Sequence, residues 1–191
     1  MQPPNITVTV NGVNGVEKLL NNLNPHKASG PDQISTQFRK SMSSVLAPAL
    51  TFIFQASLDQ GQAPDDWRLA YVTPLFKKGD KSRASNYRPV SLTSLCCKVV
   101  DHIIHSQVIN HLEANNILVD EQHGFRKRRS CESQLITTVN DLAEGLNNKE
   151  QNDAITQDFS KAFDKVLHHR LAMEHTEFGF RAYLPIVTNK F

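Results

Sequence analysis

Cysteine is scarce in this chain, and the cysteines present form no pattern that binds metal or builds a disulfide framework. Cys96 and Cys97 are adjacent, Cys131 stands alone, and no Cys-x-x-Cys spacing occurs. The odd count and the missing spacing argue against a zinc site and against a small disulfide-rich secreted fold. We therefore expect reduced thiols without disulfide partners, in a nuclear or cytoplasmic protein.

The chain also lacks a secretion signal and a long run of purely apolar residues. Met1–Val10 has neither a basic nor an apolar segment, so secretion is not expected. The longest uncharged stretch, Ser41–Leu58, carries four serines together with Pro48, Thr51 and Gln55. A membrane helix would bury these polar groups, so a helix of the protein core is the better interpretation, and no membrane partner is expected.

A strong excess of charge of one sign is missing as well, since the net charge is +2. The basic residues are nevertheless concentrated in two segments. Between Lys77 and Arg88 there are five basic residues and one acid, and between Gln122 and Arg129 there are four basic residues and no acid. Each segment therefore carries a local charge of +4, which predicts specific contacts with anions.

Hydrophobic periodicity predicts a mixture of helices and a few short strands, an α+β fold without repeated βαβ units. The predicted helices cover residues 13–23, 35–45, 48–60, 94–112 and 132–146. The predicted strands cover residues 68–76, 87–92 and 154–159. The first two strands form a hairpin with a basic tip, Pro48 suits a first helical turn, and residues 160–171 are expected to begin as a helix.

Four segments carry recognisable patterns. The last of them runs from Asp158 to Asp164, as Asp-Phe-Ser-Lys-Ala-Phe-Asp, directly after the third predicted strand. Taken alone, an acid at this place more often caps a helix or joins a surface ion pair. The upstream segments are Lys27-Ala-Ser-Gly-Pro-Asp32, Asn86-Tyr-Arg-Pro-Val-Ser-Leu92 and Gln122-His-Gly-Phe-Arg126, with Leu75-Phe-Lys-Lys-Gly-Asp80 before the second.

In their order along the chain, the four segments resemble motifs of the reverse transcriptases of non-LTR (LINE-type) retrotransposons, which are RNA-directed DNA polymerases. The resemblance runs from about Leu23 to Gly179. It implies the fingers and part of the palm of a right-hand polymerase, with an incomplete palm sheet. The implied divisions are a helical lead-in over residues 1–64, fingers over 65–150, and a partial palm with a divergent tail over 151–191.

The resemblance also implies a catalytic metal site. Asp158 matches the first catalytic aspartate, which binds Mg²⁺, and the backbone carbonyl of Phe159 is a further candidate ligand. Magnesium prefers such hard oxygen ligands, and two ions would stabilise the attacking and leaving oxygens in nucleotidyl transfer. Phe163 matches the bulky residue beneath the incoming sugar that favours deoxynucleotides; the alternative for it is core packing.

The basic segments acquire roles by the same comparison. Arg88 matches the fingers arginine that pairs with the incoming triphosphate, and Lys77 or Lys78 is a candidate second contact. The alternative for the lysines is a solvated hairpin tip. The second basic segment is a candidate template contact through Arg126, Lys127, Arg128 and Arg129. A nuclear-localisation patch and a merely solvated loop are the alternatives for that run.

The family's second acidic motif, an aromatic residue followed by x-Asp-Asp, does not occur in this sequence. No aspartate follows Asp164, and Leu167 stands where a proline is usual. We therefore expect a truncated or frame-shifted fragment, inactive alone, of an enzyme that acts with RNA template, DNA primer and deoxynucleotides in a ribonucleoprotein. The alternatives are a non-catalytic RNA-binding module and an intron maturase-like protein.

Overall fold

The computed structural model of the protein describes residues 5–159, 162 and 165–178. The chain forms two compact units, one made of Met1–Val108 with His168–Phe191 and the other of Ile109–Leu167. The helices are α1 (Gly12–Asn21), α2 (Thr36–Ser41), α3 (Ser43–Gln60), α4 (Leu95–Ala114), α5 (Cys131–Asn147) and α6 (His168–Glu177). The strands are β1 (Ala70–Phe76) and β2 (Tyr87–Thr93).

The core of the first unit lies where α1, α3 and the start of α4 bury their apolar faces. Val16 and Leu20, one helical turn apart, are fully buried on α1. Phe54 of α3 is also fully buried, and its ring meets the ring of Trp67 edge to face, with centroids 5.6 Å apart. Burial of these large side chains is the main stabilising contribution to this unit.

Three predicted helices are confirmed to within two residues at each end, namely α1, α4 and α5. For the two helices between α1 and α4, the predicted outer ends at residues 35 and 60 are confirmed to within one residue, but the predicted break between them, at residues 46–47, is wrong. Helix α2 ends at Ser41, α3 begins at Ser43, and Met42 between them has a non-helical conformation. Pro48 therefore lies inside α3 and not in its first turn. Because proline has no N–H, the Ser44 carbonyl receives no helical hydrogen bond from residue 48.

The predicted hairpin is confirmed. Strands β1 and β2 are antiparallel, with pairs that run from Ala70 opposite Thr93 to Phe76 opposite Tyr87, and Pro74 stands opposite Pro89. Along this ribbon the side chains from 71 to 76 are exposed, whereas residues 92–94 are partly or fully buried. The hairpin is thus fixed to the first unit at its base.

The third predicted strand, over residues 154–159, is wrong. This segment is irregular, and its large apolar side chains, Ile155 and Phe159, are 88% and 77% exposed. A strand needs a hydrogen-bonded neighbour, and none lies beside this segment among the residues that the structure describes. The described part of the chain therefore contains one two-stranded sheet, and the expected palm sheet is not formed within it.

Two further expectations bear on the environment of the protein. No helix in the described ranges is long and apolar enough to cross a membrane. Cys96, Cys97 and Cys131 are free thiols, of which Cys97 is buried and Cys131 exposed. The expected helical start at residues 160–171 falls partly outside the described residues, and α6 begins at His168.

Candidate nucleic-acid interface

The tip of the hairpin is a hydrogen-bonded turn. The Lys77 N–H donates to the Asn86 carbonyl at 2.9 Å, which extends the pairing of the strands by one step. The Asn86 side-chain amide donates to the Asp80 carbonyl at 2.8 Å, and the Asp80 carboxylate accepts from the Ser82 N–H at 2.9 Å. Hydrogen bonds from the backbone and side chain of Ser82 hold the pKa of Asp80 below its ordinary value.

The register of the hairpin places Lys77 beside Arg88. Arg88 stands opposite Leu75, and Lys77 is the diagonal neighbour of Arg88 on the same face, roughly 7–8 Å away. Lys78 follows in the turn, beyond the ladder. All three side chains are exposed, and none has a hydrogen-bond or ion-pair partner among the described residues.

The opposite face of the hairpin is aromatic. The rings of Phe76 and Tyr87 meet edge to face with centroids 5.5 Å apart. The Lys81 ammonium lies 5.6 Å from the centre of the Phe76 ring, within the range of a cation–π contact. Lys81 therefore stabilises the turn itself.

Arg126 binds the protein itself. Its Nε and Nη2 donate to the two carboxylate oxygens of Glu113, at 3.0 and 2.9 Å, and its Nη1 donates to the Val119 carbonyl at 2.7 Å. The Arg126 side chain is only 9% exposed. This two-pronged hydrogen bonding lowers the pKa of Glu113 and raises that of Arg126. The guanidinium therefore ties the loop that follows α4 back to the helix.

The other three cations of this run differ from one another. Arg129 forms an ion pair with Asp120 at 2.7 Å and donates to the Asp120 carbonyl. Lys127 donates to the neutral Asn110 side chain at 3.0 Å, which leaves its charge uncompensated. Arg128 is exposed and has no partner among the residues that the structure describes. Two of the four predicted template contacts thus carry uncompensated charge.

The far end of this loop is anchored at the start of α5. The Ser130 hydroxyl accepts from the Ser133 N–H at 3.2 Å, and the Ser133 hydroxyl accepts from the Ser130 N–H at 2.9 Å. The His123 ring nitrogen Nδ1 lies 2.7 Å from the Ser133 hydroxyl. A reciprocal cap of this kind fixes where the helix begins. Lys127 and Arg128 therefore stand on a loop held at both ends.

The predicted metal ligands lie on the irregular segment before residue 160. Asp158 and Phe159 are both exposed. In the described ranges no group of three or more His, Cys, Asp or Glu side chains is close enough to hold a metal ion. Phe163, the predicted sugar-contacting residue, lies outside the described residues.

Glu113 and Asp120 decide which cations are compensated, and the sequence patterns do not single them out. They stand 13 residues before Arg126 and 9 residues before Arg129. Neither belongs to the basic motif, and no spacing in the sequence marks them as partners. Their only visible signal is that they are acids near the end of a predicted helix and in the following loop.

Comparison with known proteins identifies the family. Residues 76–191 match the family model of the reverse transcriptase (RNA-dependent DNA polymerase). The chain is 28% identical over 150 residues to the probable RNA-directed DNA polymerase from transposon X-element of Drosophila melanogaster, which covers 78% of this chain and 16% of that protein. It is 28% identical over 154 residues to the RNA-directed DNA polymerase from mobile element jockey of the same organism, covering 80% and 17%.

A vertebrate relative shows the same extent of similarity. The transposon TX1 uncharacterized 149 kDa protein of Xenopus laevis is 29% identical over 151 residues, covering 78% of this chain and 11% of that protein. The chain thus spans 11–17% of the length of these three relatives. The family model covers more than half of the chain, and the resemblance found in the four motifs is confirmed. The chain belongs to the reverse transcriptase (RNA-dependent DNA polymerase) family.

Proposed function

We propose that this chain contributes incoming-nucleotide and template contacts to an RNA-directed DNA polymerase that copies retroelement RNA into DNA. One observation carries the proposal. Within the part of the chain that matches the family, Lys77 and Arg88 lie on one hairpin face and Lys127 and Arg128 lie on the anchored loop, and none of these four motif residues forms an ion pair among the described residues.

The hairpin face is suited to a triphosphate. A guanidinium fork binds phosphate oxygens in two places and stays charged at every relevant pH. Lys77 adds a compact second cation on the same face, within reach of the next phosphate group. Of the two lysines left open by the sequence, the register favours Lys77 over Lys78 as the second contact.

The loop is suited to the backbone of a single-stranded RNA template. Cations that neutralise phosphates release condensed counterions, so binding through them weakens as salt rises. Lys127 and Arg128 make this contact in our proposal. Arg126 and Arg129 hold the loop in place, since Glu113 and Asp120 already compensate their charges.

The described residues do not by themselves fit a two-metal centre. Asp158 offers the hard carboxylate oxygens that Mg²⁺ prefers, and the Phe159 carbonyl offers another. A magnesium site that assists nucleotidyl transfer would need further oxygen ligands beside these two, and no cluster of acids is present in the described part of the chain. In our proposal Asp158 is therefore one ligand of a site that other segments must complete.

Primer extension and triphosphate binding test this proposal. We expect the purified 191-residue chain to extend no labelled DNA primer on an RNA template with Mg²⁺ or Mn²⁺. Extension that Asp158→Ala abolishes would show that the chain is active alone. We expect deoxynucleoside triphosphate binding that Arg88→Ala weakens about tenfold, the value of one charge-assisted hydrogen bond. Arg83→Ala, at the same hairpin tip, is the matched control and should leave binding unchanged.

One outcome would contradict the proposal. If Arg88→Ala and Arg83→Ala weaken triphosphate binding equally, the hairpin attracts anions by its general charge, and the assigned nucleotide contact is wrong.

The two alternative functions considered from the sequence, a non-catalytic RNA-binding module and an intron maturase-like protein, are not favoured. The relatives named above are transposon or mobile-element proteins, two of them named as polymerases, and none is named as a maturase or a binding module.

A further inference from the structure

We propose that Gly30 is a positioning residue, which sets the orientation of the hairpin and thereby of Arg88. This inference rests on the proposed nucleotide contact of Arg88. Gly30 belongs to the segment Lys27-Ala-Ser-Gly-Pro-Asp32, which has no part in the contacts described so far.

Gly30 is pressed against the backbone where β2 passes into α4. A Cβ atom at position 30 would lie 2.5 Å from the Thr93 carbonyl oxygen and 2.7 Å from the Ser94 nitrogen. Ordinary contacts between carbon and a carbonyl oxygen are about 3.3–3.6 Å. A side chain at this position therefore requires a displacement of close to 1 Å, and a backbone neighbour has no rotamer with which to move aside.

The segment that carries Gly30 is rigid. The Asp32 carboxylate binds the Arg39 guanidinium of α2 at 2.5 Å, and Arg39 also donates to the Ile34 carbonyl at 2.9 Å. Arg39 is only 3% exposed, so this pair is shielded from water. The buried Thr36 hydroxyl donates to the Lys27 carbonyl at 3.3 Å and holds the first residue of the segment.

The junction on the other side of the contact is the base of the hairpin. Thr93 is the last residue of β2, opposite Ala70, and Ser94 is buried and caps α4 by accepting from the Cys97 N–H at 3.2 Å. Arg88 lies five residues up the same strand, a distance of about 17 Å. A small displacement at Thr93 therefore moves Arg88 by at least as much.

The exposed part of the hairpin yields more readily than the segment that carries Gly30, which is tied to α2. The Gly30 segment is joined to α2 by a shielded ion pair, whereas the side chains of β1 from 71 to 76 are exposed. A substitution at Gly30 should therefore redirect the hairpin and leave the core of the first unit in place. The side chain of Arg88 is unchanged in such a variant, but its phosphate contact is misplaced.

Gly30→Ala is the test, with Gly124→Ala as the matched control because a Cβ at position 124 meets no atom within 4 Å. We expect Gly30→Ala to weaken deoxynucleoside triphosphate binding about tenfold, as Arg88→Ala does. The fluorescence of Trp67, in the buried core, should stay unchanged. Amide hydrogen exchange at residues 87–94 should accelerate in Gly30→Ala and be unchanged in Gly124→Ala.

The outcomes separate this inference from the proposed function. Unchanged hydrogen exchange at 87–94 in Gly30→Ala, or unchanged triphosphate affinity despite faster exchange, overturns the positioning role alone. Triphosphate binding that is insensitive to Arg88→Ala overturns the proposed contact, and the positioning role with it. If Gly30→Ala does not fold, Thr36→Val removes the hydrogen bond to the Lys27 carbonyl and releases the same segment without adding a heavy atom. A smaller loss of affinity is then expected, and no loss overturns the inference.

Discussion

The division of the basic loop into compensated and uncompensated cations has a measurable consequence for RNA binding. Each phosphate neutralised on a single strand contributes about 0.7 to the slope of log affinity against log salt. If Lys127 and Arg128 each neutralise one phosphate, Lys127→Gln/Arg128→Gln should lower the slope by about 1.4. Between 50 and 200 mM salt, this corresponds to about a sevenfold smaller loss of affinity in the double variant.

Fluorescence anisotropy of a labelled single-stranded RNA, titrated at several salt concentrations, measures this slope. Lys149→Gln is the matched control, because Lys149 is an exposed cation of the same unit outside the loop. We expect its slope to equal that of the wild type. Arg126→Gln should weaken binding at every salt concentration by loosening the loop, with the slope retained.

Two results would refute this reasoning. Equal slopes for the wild type and the double variant would mean that Lys127 and Arg128 do not bind phosphate. An equal decrease of the slope in Lys149→Gln would mean that RNA responds to the total charge of the unit and not to the loop. Either result would return the basic run to the interpretation of a solvated surface.

Two further predictions concern stability and pH. Phe54→Ala should lower the free energy of unfolding by about 3–5 kcal/mol, because the ring is fully buried; urea denaturation followed by tryptophan fluorescence measures this. Below the ordinary glutamate pKa of 4.5, the loop should loosen as pH falls, because protonation of Glu113 breaks its bond to Arg126. Amide hydrogen exchange of the loop, measured for the wild type and for Glu113→Gln at each pH, detects this loss.

Each of these predictions has its own control. Phe52→Ala removes a ring that is 75% exposed, so a loss comparable to that of Phe54→Ala would contradict the assigned core. For Glu113 the sign is set by its lowered pKa: the contact is complete above the ordinary value and is lost as pH falls through the folded-state value. A loop that loosens equally with pH in Glu113→Gln shows that another group titrates.

The elements that the sequence predicted well are those set by local pattern. The apolar spacing of α1 identifies it because neighbours three and four residues apart share one face. The hairpin follows from two extended runs around Gly79, whose φ of +90° a residue with a side chain rarely adopts. Residues 154–159 have the composition that is typical of a strand. A strand also needs a hydrogen-bonded neighbour, however, and this neighbour lies elsewhere in the chain.

The candidate site shows the same limit in its charges. The sequence presents Arg126 to Arg129 as four similar cations, because it contains no information on which acids approach them. Glu113 and Asp120 reach them only through the turn of the chain after α4. Local patterns therefore identified the basic loop, while long-range pairing decided how its charge is distributed.

The two facing prolines of the hairpin have a consequence for the whole molecule in solution. In an antiparallel ladder, hydrogen-bonded pairs alternate with pairs that are not hydrogen-bonded. Because Lys77 and Asn86 form a hydrogen-bonded pair, Pro74 and Pro89, three pairs further along, form a pair that is not hydrogen-bonded, and their nitrogens face outward. Each outer edge of the ribbon therefore lacks a donor at mid-length, where another strand would otherwise attach. A ribbon with exposed apolar side chains on an unprotected edge would recruit other copies into aggregates. The two prolines therefore make either edge of the hairpin a poor template for a further strand.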